Sequence, residues 1–151
     1  MLKVKKNITC KLNVTFLIAA LLVINVPVVI ADTHDSQPVS STVTAETGAD
    51  GVQRVEITLD SYSFTPSHII VEHGKPVEFT LINVASVAPH NFHVDASADG
   101  LYLDADVEPG KTATLSFLPV KAGVYDFYCD KKLLFLPSHK EKGMVGKLEV
   151  H

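Results

Sequence analysis

Tyr125-Asp126-Phe127-Tyr128-Cys129 is the stretch from which the rest of the chain can be read. Side chains alternate along an extended strand, so Tyr125, Phe127 and Cys129 share one face while Asp126, Tyr128 and Asp130 share the other. Two bulky aromatics lead the thiol inward, which places Cys129 at the inner end of a half-buried strand. A loop follows that ends in His139-Lys140-Glu141-Lys142-Gly143-Met144, and Met144 opens another apolar strand through Val145, Leu148 and Val150. One C-terminal hairpin therefore carries a thiolate, an imidazole and a thioether. Soft sulfur donors combined with imidazoles select copper over harder ions. A second imidazole is available from Pro89-His90-Asn91-Phe92, where His90 lies on the same strand face as Phe92.

Upstream, the period of two recurs between turn signals. Val55, Ile57 and Leu59 alternate within residues 52–59. Pro66 and Gly74 bracket a strand around His68 to Glu72. Lys75-Pro76 opens a third, Val77 to Val84, with Val77, Phe79 and Leu81 on one face, and His90 to Val94 is a fourth. Asp95 to Glu108 reads as a polar loop containing Asp95, Asp99, Asp104, Asp106 and Glu108, and Glu108-Pro109-Gly110-Lys111 as a turn. Ala113, Leu115 and Phe117 then alternate with Thr112, Thr114 and Ser116. Lys121-Ala122-Gly123 turns into Val124 to Cys129. There is no helical period outside the N-terminal segment and no internal repeat. About seven strands in roughly 100 residues predict an all-β sandwich or barrel.

The first 31 residues have the layout of an export signal: Lys3, Lys5, Lys6 and Lys11, then an apolar run from Leu12 to Ile30, ending in Val29-Ile30-Ala31. Cleavage is expected after Ala31; an uncleaved anchor is the alternative, because the run approaches the ~20 residues that span a bilayer. The expected location is therefore periplasmic or secreted, with membrane contact only if the segment is kept. No small-residue lipobox precedes Cys10. Residues 32–51, rich in Ser, Thr, Asp, Ala and Gly, read as a flexible linker. The folded domain is then 52–151. Without the signal, 17 acidic residues face 9 basic ones; such a balance argues against nucleic acid and for a basic or membrane-remote partner. Cys129 becomes the single thiol, which leaves it free and buried, paired between molecules, or a ligand.

The remaining histidines have plainer readings. His34 falls in the linker, His93 is expected on an exposed strand face, and His68, His73 and His151 on the surface. Met144 would serve as a core residue at a strand start. It is, however, the only methionine after the signal, which weakens the gap-filling explanation.

Taken together, Pro89-His90-Asn91, Pro109-Gly110-Lys111-Thr112, Lys121 through Cys129, and His139 through Lys147 resemble the plastocyanin/azurin family of cupredoxins over about Val52 to Val150. The resemblance implies a Greek-key β-sandwich of about seven to eight strands holding one copper per chain. It implies His90, Cys129, His139 and Met144 as the ligands, the arrangement of a His₂Cys site with a weak axial Met. It also assigns Asn91 to tying the first ligand's strand to the loop beside the cysteine. One departure stands out: the family usually places the second histidine two to four residues after the cysteine, whereas nine intervene here, Asp130 to Ser138. Within them, Leu133-Leu134-Phe135-Leu136 must either fold over the core as a flap or form an apolar docking patch.

The resemblance implies a one-electron carrier, not an enzyme, working with a redox protein partner that docks at Leu133 to Leu136 or at the acidic region Asp95 to Glu108. A copper carrier or sensor in metal homeostasis, without redox turnover, is the alternative, and copper enzyme chemistry ranks third because no second group of histidines is clustered in the sequence.

Overall fold

The computed structural model describes residues 41–151. The expected signal segment, Cys10, His34 and the first part of the expected linker lie outside the described residues. Two sheets are present. The larger runs, in spatial order, β1 (Thr42–Thr44), β5 (His68–Val71), β11 (Val145–Val150), β10 (Gly123–Tyr128), β7 (His90–Ala96) and β8 (Leu101–Val107). The smaller contains β2 (Glu46–Thr47), β3 (Gln53–Asp60), β6 (Val77–Asn83) and β9 (Thr112–Phe117), with β4 (Ser63–Thr65) paired to β3. A 3-10 turn, Ser97–Asp99, connects β7 to β8. This is an all-β, cupredoxin-like sandwich, with more strands than expected because β1, β2 and β4 are only two or three residues long.

The inner faces follow the period of two. Val55, Ile57 and Leu59 of β3, Val77, Phe79 and Leu81 of β6, and Tyr125 and Phe127 of β10 are buried in one core with Leu148 and Val150 of β11. Aromatic rings join the sheets: Phe92 stacks on Phe127 at 4.6 Å between centroids, and Phe79 meets Phe92 edge-on at 5.6 Å. Such pairs add about 0.5–1.5 kcal/mol each beyond their buried area. Opposite Phe127 in the β10–β11 register stands Gly146. A β-carbon there would lie 2.2 Å from the Phe127 ring, so only glycine lets the two strands close over that ring.

Two segments differ from the sequence-based expectation. Asp95 to Glu108 is not a polar loop: β7 and β8 pair antiparallel from His90↔Val107 to Ala96↔Leu101. Leu101, Leu103 and Val107 point inward while Tyr102, Asp104 and Asp106 face out. The carboxylates are the outward half of an alternating strand, and their density hides the apolar half. The expected linker is also folded in its second part. Thr42, Val43 and Thr44 pair in parallel with His68, Ile69 and Ile70, and Glu46 and Thr47 pair with Arg54 and Gln53. These edge strands are held by backbone pairing with little apolar burial, so hydrophobic patterning carries no sign of them.

The topology gathers several strand ends at one pole. β10 ends there at Tyr128, opposite Val145 at the start of β11. β5 and β1 run parallel to β11, so His68 and Thr42 also lie near this end. β7 begins there with His90, three residues before His93, which pairs with Tyr128.

Candidate metal centre

The loop before β7 is fixed by Asn83, itself buried. Its side-chain amide donates to the carbonyls of Ala88 and Val107, both at 2.9 Å, and its oxygen accepts the Ala85 N–H at 2.9 Å. With all these bonds made inside the protein, burial of the amide carries little penalty. His90 thus enters β7 from a rigid loop, and both it and Phe92 are fully buried. Cys129, one residue beyond β10 and in line with Tyr125 and Phe127, is fully buried as well.

His139 is held by a different device. Ser138 Oγ and the Ser138 N–H both donate to the Glu141 carboxylate, at 2.9 and 2.6 Å, and the Glu141 N–H donates back to Ser138 Oγ at 3.3 Å. This is a capping box spaced S-x-x-E around one helical turn. It holds the Glu141 carboxyl below its usual range, chiefly through the Ser138 backbone bond. Gly143, at φ +95°, then reverses the chain, and backbone bonds from Met144 N–H to His139 O (2.9 Å) and from Cys129 N–H to Met144 O (3.1 Å) lock the three positions together. The Tyr62 ring packs edge-on against His139 at 5.1 Å. Neither the Ser138–Glu141 box nor Tyr62 entered the sequence reading; the box was legible in its spacing, whereas Tyr62, at φ 62°, leaves no such trace.

The candidate donor atoms converge. Cys129 Sγ lies 3.7 Å from His90 Nδ1 and 3.4 Å from His139 Nδ1, and the two Nδ1 atoms are 3.0 Å apart. The point equidistant from all three is about 2.0 Å from each, a metal–imidazole bond length and slightly less than a metal–thiolate one. Burial lowers the affinity of His90 for a proton, to a pKa of about 4, with the neighbouring His139 adding to the effect. His139 is shifted the same way, by burial and then Lys142. Both rings are neutral near pH 7, so each has a lone pair to offer. Burial pushes the Cys129 thiol up, against backbone N–H groups of Asn91 and Lys131 that pull it down. A thiol of that kind becomes a thiolate when a cation takes the place of its proton. The donor set, the spacing and the burial all fit a soft metal ion.

Around the cluster, Asn91 donates its N–H to Cys129 Sγ at 3.4 Å, and its side-chain oxygen accepts the Asp130 N–H at 3.0 Å. Met144 is fully buried and backbone-bonded to both Cys129 and His139. His93 is not an exposed strand histidine: its ring is flanked by Tyr102 and Tyr128, with Asp104 at 3.6 Å. His68 is half-buried against Glu149 at 3.1 Å. His73 and His151 are exposed, as expected. Leu133, Leu134, Phe135 and Leu136 do not fold over the core and are all exposed.

A β-sandwich closing over a buried His-Cys-His cluster defines a copper-binding protein of the mononuclear kind. The chain belongs to the cupredoxin-like domain family, whose model matches residues 15–145. The sequence matches none of the curated proteins. Among solved structures, the fold is similar to the metal-binding domain of the Cu(I)-exporting P-type ATPase CopA of Streptococcus pneumoniae D39, at 18% identity, with a TM-score of 0.57, over 74% of this chain and 97% of that one. It is similar to reduced auracyanin of Roseiflexus castenholzii, at 19% identity and TM-score 0.56, over 71% and 98% of the two chains. It is also similar to auracyanin A, a "blue" copper protein of Chloroflexus aurantiacus, at 21% identity and TM-score 0.53, over 67% and 100%.

Proposed function

We propose that this chain is an exported, periplasmic or secreted, one-electron carrier, with His90, Cys129 and His139 as the strong copper ligands and Met144 as the weak axial one. The reading is carried by the triangle of buried donor atoms with sides of 3.0, 3.4 and 3.7 Å. Bound copper would supply a Cu(I)/Cu(II) couple, tuned by the axial sulfur and by hydrogen bonding at the thiolate. The protein supplies the rest. The packing of Phe92 and Phe127 behind the donors excludes water, and the Asn91 N–H on Cys129 Sγ stabilises negative charge there. His139, 8% exposed where His90 is fully buried, is the shorter way to the surface. Tyr128, covalently next to Cys129 and facing the outer side of β10, offers a second way.

A redox protein partner fits either of two surfaces. Asp95 and Asp104 lie near Tyr128 and, after burial, help to raise its pKa, so a basic partner would be steered to that side. Leu133 to Leu136 lie on the His139 side. No enzymatic step is proposed: among the described residues His90, Cys129 and His139 form the one group of three donors able to hold a metal.

The second reading, a copper carrier or sensor without redox turnover, is favoured by one observation, the likeness to a domain of a Cu(I) exporter. The visible spectrum, EPR and voltammetry of the Cu(II)-loaded protein separate the two. An intense thiolate band with a reversible couple is expected, and Cys129→Ser should abolish the band while the fold persists. A colourless protein that holds only Cu(I) would support the carrier. An undiminished band in Cys129→Ser would overturn Cys129 as a ligand.

A further inference from the structure

Leu133, Leu134, Phe135 and Leu136 are 65%, 79%, 88% and 43% exposed. Leu136 N–H donates to Leu133 O at 2.9 Å and Leu134 adopts φ 50°, so the four residues form a tight turn, with Leu134 and Phe135 the most exposed. Holding a leucine in the left-handed region costs energy. A run this apolar at a protruding tip calls for an apolar environment.

Charge identifies that environment. Lys131 and Lys132 precede the turn, and Lys140 and Lys142 follow it. Of the two carboxylates in the same segment, Asp130 and Glu141, the latter is held by Ser138; of the lysines, Lys131 pairs with Asp106 at 2.6 Å, Lys140 lies over the Tyr128 ring and Lys142 donates to the Tyr62 hydroxyl. The rest of residues 41–151 carries thirteen acidic residues against five basic ones. An anionic surface would therefore repel the body of the domain and attract this end of it. Leu133 and Leu136 line an apolar hollow with Tyr62, Val87 and Pro89, while Leu134 and Phe135 stand furthest into solvent. Two bulky apolar side chains in solvent beside lysines suit insertion between lipid headgroups, where the lysine stems are buried and their ammonium groups reach the phosphates. The chain also enters the domain at this pole, since β1 runs parallel to β5 and β11 from the end where β10 finishes.

We propose that the Leu133–Leu136 turn is a lipid-inserting tip that docks the domain on an anionic bilayer, with Lys132 and Lys142, which line the hollow beside Leu133 and Leu136, at headgroup level. This contact goes beyond the electron-carrier reading and does not depend on bound metal. It sets the His139 side of the site at the membrane surface.

The full chain contains no tryptophan, so Phe135→Trp introduces a single indole reporter at an exposed position. With phosphatidylcholine vesicles containing phosphatidylglycerol, its emission should shift to the blue and be quenched by brominated acyl chains. Both effects should weaken in pure phosphatidylcholine and in high salt, fall several-fold with Lys132→Gln and Lys142→Gln, and vanish when Leu134→Asp is added. An indole that stays in water with anionic vesicles would overturn the proposal. So would quenching that survives Leu134→Asp, which would place the contact in the N-terminal segment. Equal quenching in neutral vesicles would overturn the role of the lysines. A blue shift without vesicles that grows with protein concentration would mean that a second copy covers the turn.

Discussion

The side-chain amide of Asn91 donates to the Asp104 carboxylate at 3.0 Å, and this one contact fixes which way the amide faces. An ionised carboxylate only accepts hydrogen bonds. The nitrogen of Asn91 must therefore point toward Asp104, which leaves its oxygen for the Asp130 N–H beside Cys129. Asp104 thus positions the cysteine loop through Asn91 without approaching the donor cluster.

Asn91→Ala should destabilise the protein by about 1–3 kcal/mol, the cost of leaving a partly buried group unpaired. Asp104→Ala should cost less, about 0.5–1.5 kcal/mol. The double variant should be close to Asn91→Ala alone, because both changes break one chain of bonds. Urea denaturation of the four proteins measures this, and simple additivity would show that the two residues act separately.

Met144→Leu should retain copper and cost under about 1.5 kcal/mol, because leucine fills nearly the same buried volume. Its redox potential should shift, since an axial thioether would be gone. Voltammetry and copper titration check both parts. Complete loss of copper would make Met144 a primary ligand, and an unchanged potential would remove it from the site.

The metal-free protein should lose stability in acid between about pH 6.5 and 4. Folded His90 resists the proton that the unfolded chain accepts at the ordinary histidine value, so the unfolded state gains protons first as the pH falls. The loss from this group reaches at most about 3 kcal/mol and is complete below the folded value. His139, shifted in the same direction, adds to it. Copper affinity should fall over the same range, because the Cys129 thiol, its pKa raised by burial, must release a proton to bind, with His90 competing for a proton only near pH 4. Denaturation midpoints across this range, with and without copper, test the sign; constant stability of the metal-free form would contradict it.

Deleting Leu133 to Pro137 should leave copper bound. His139 N–H already donates to Lys131 O at 2.9 Å. After the deletion, Lys131-Lys132-Ser138-His139 would be a four-residue turn with that bond as its closing contact. The potential should change little, while reaction with a redox partner should slow if the partner docks on this face. Loss of copper would show that the turn supports the site.

Much of the architecture could be read from spacing alone. The inward sets Val55-Ile57-Leu59, Val77-Phe79-Leu81 and Tyr125-Phe127-Cys129 are buried as the period of two requires. The contact of His90 with the C-terminal donors came from family likeness as much as from the strand face it shares with Phe92, because a separation of 39 residues from Cys129 leaves no local pattern. What was missed has two causes. In β8, acidic side chains on one face masked Leu101 and Leu103 on the other. In β1 and β2, stability comes from pairing onto His68–Ile70 and Gln53–Arg54, and backbone pairing is indifferent to side-chain type. The direction of the Leu133–Leu136 turn is equally silent in sequence, since an apolar run can lie against a core or away from one.

The place of β11 in the larger sheet also sets an order of events during synthesis. This last strand lies between β5 and β10, so the sheet remains split in two until residues 145–150 have emerged. His90 is made early, whereas Cys129, His139 and Met144 follow it by 39 residues or more. A chain that stops before Cys129 therefore presents His90 without its proposed partners and without the two halves of the larger sheet joined. On the proposed ligand set, metal capture must wait until β11 has been made.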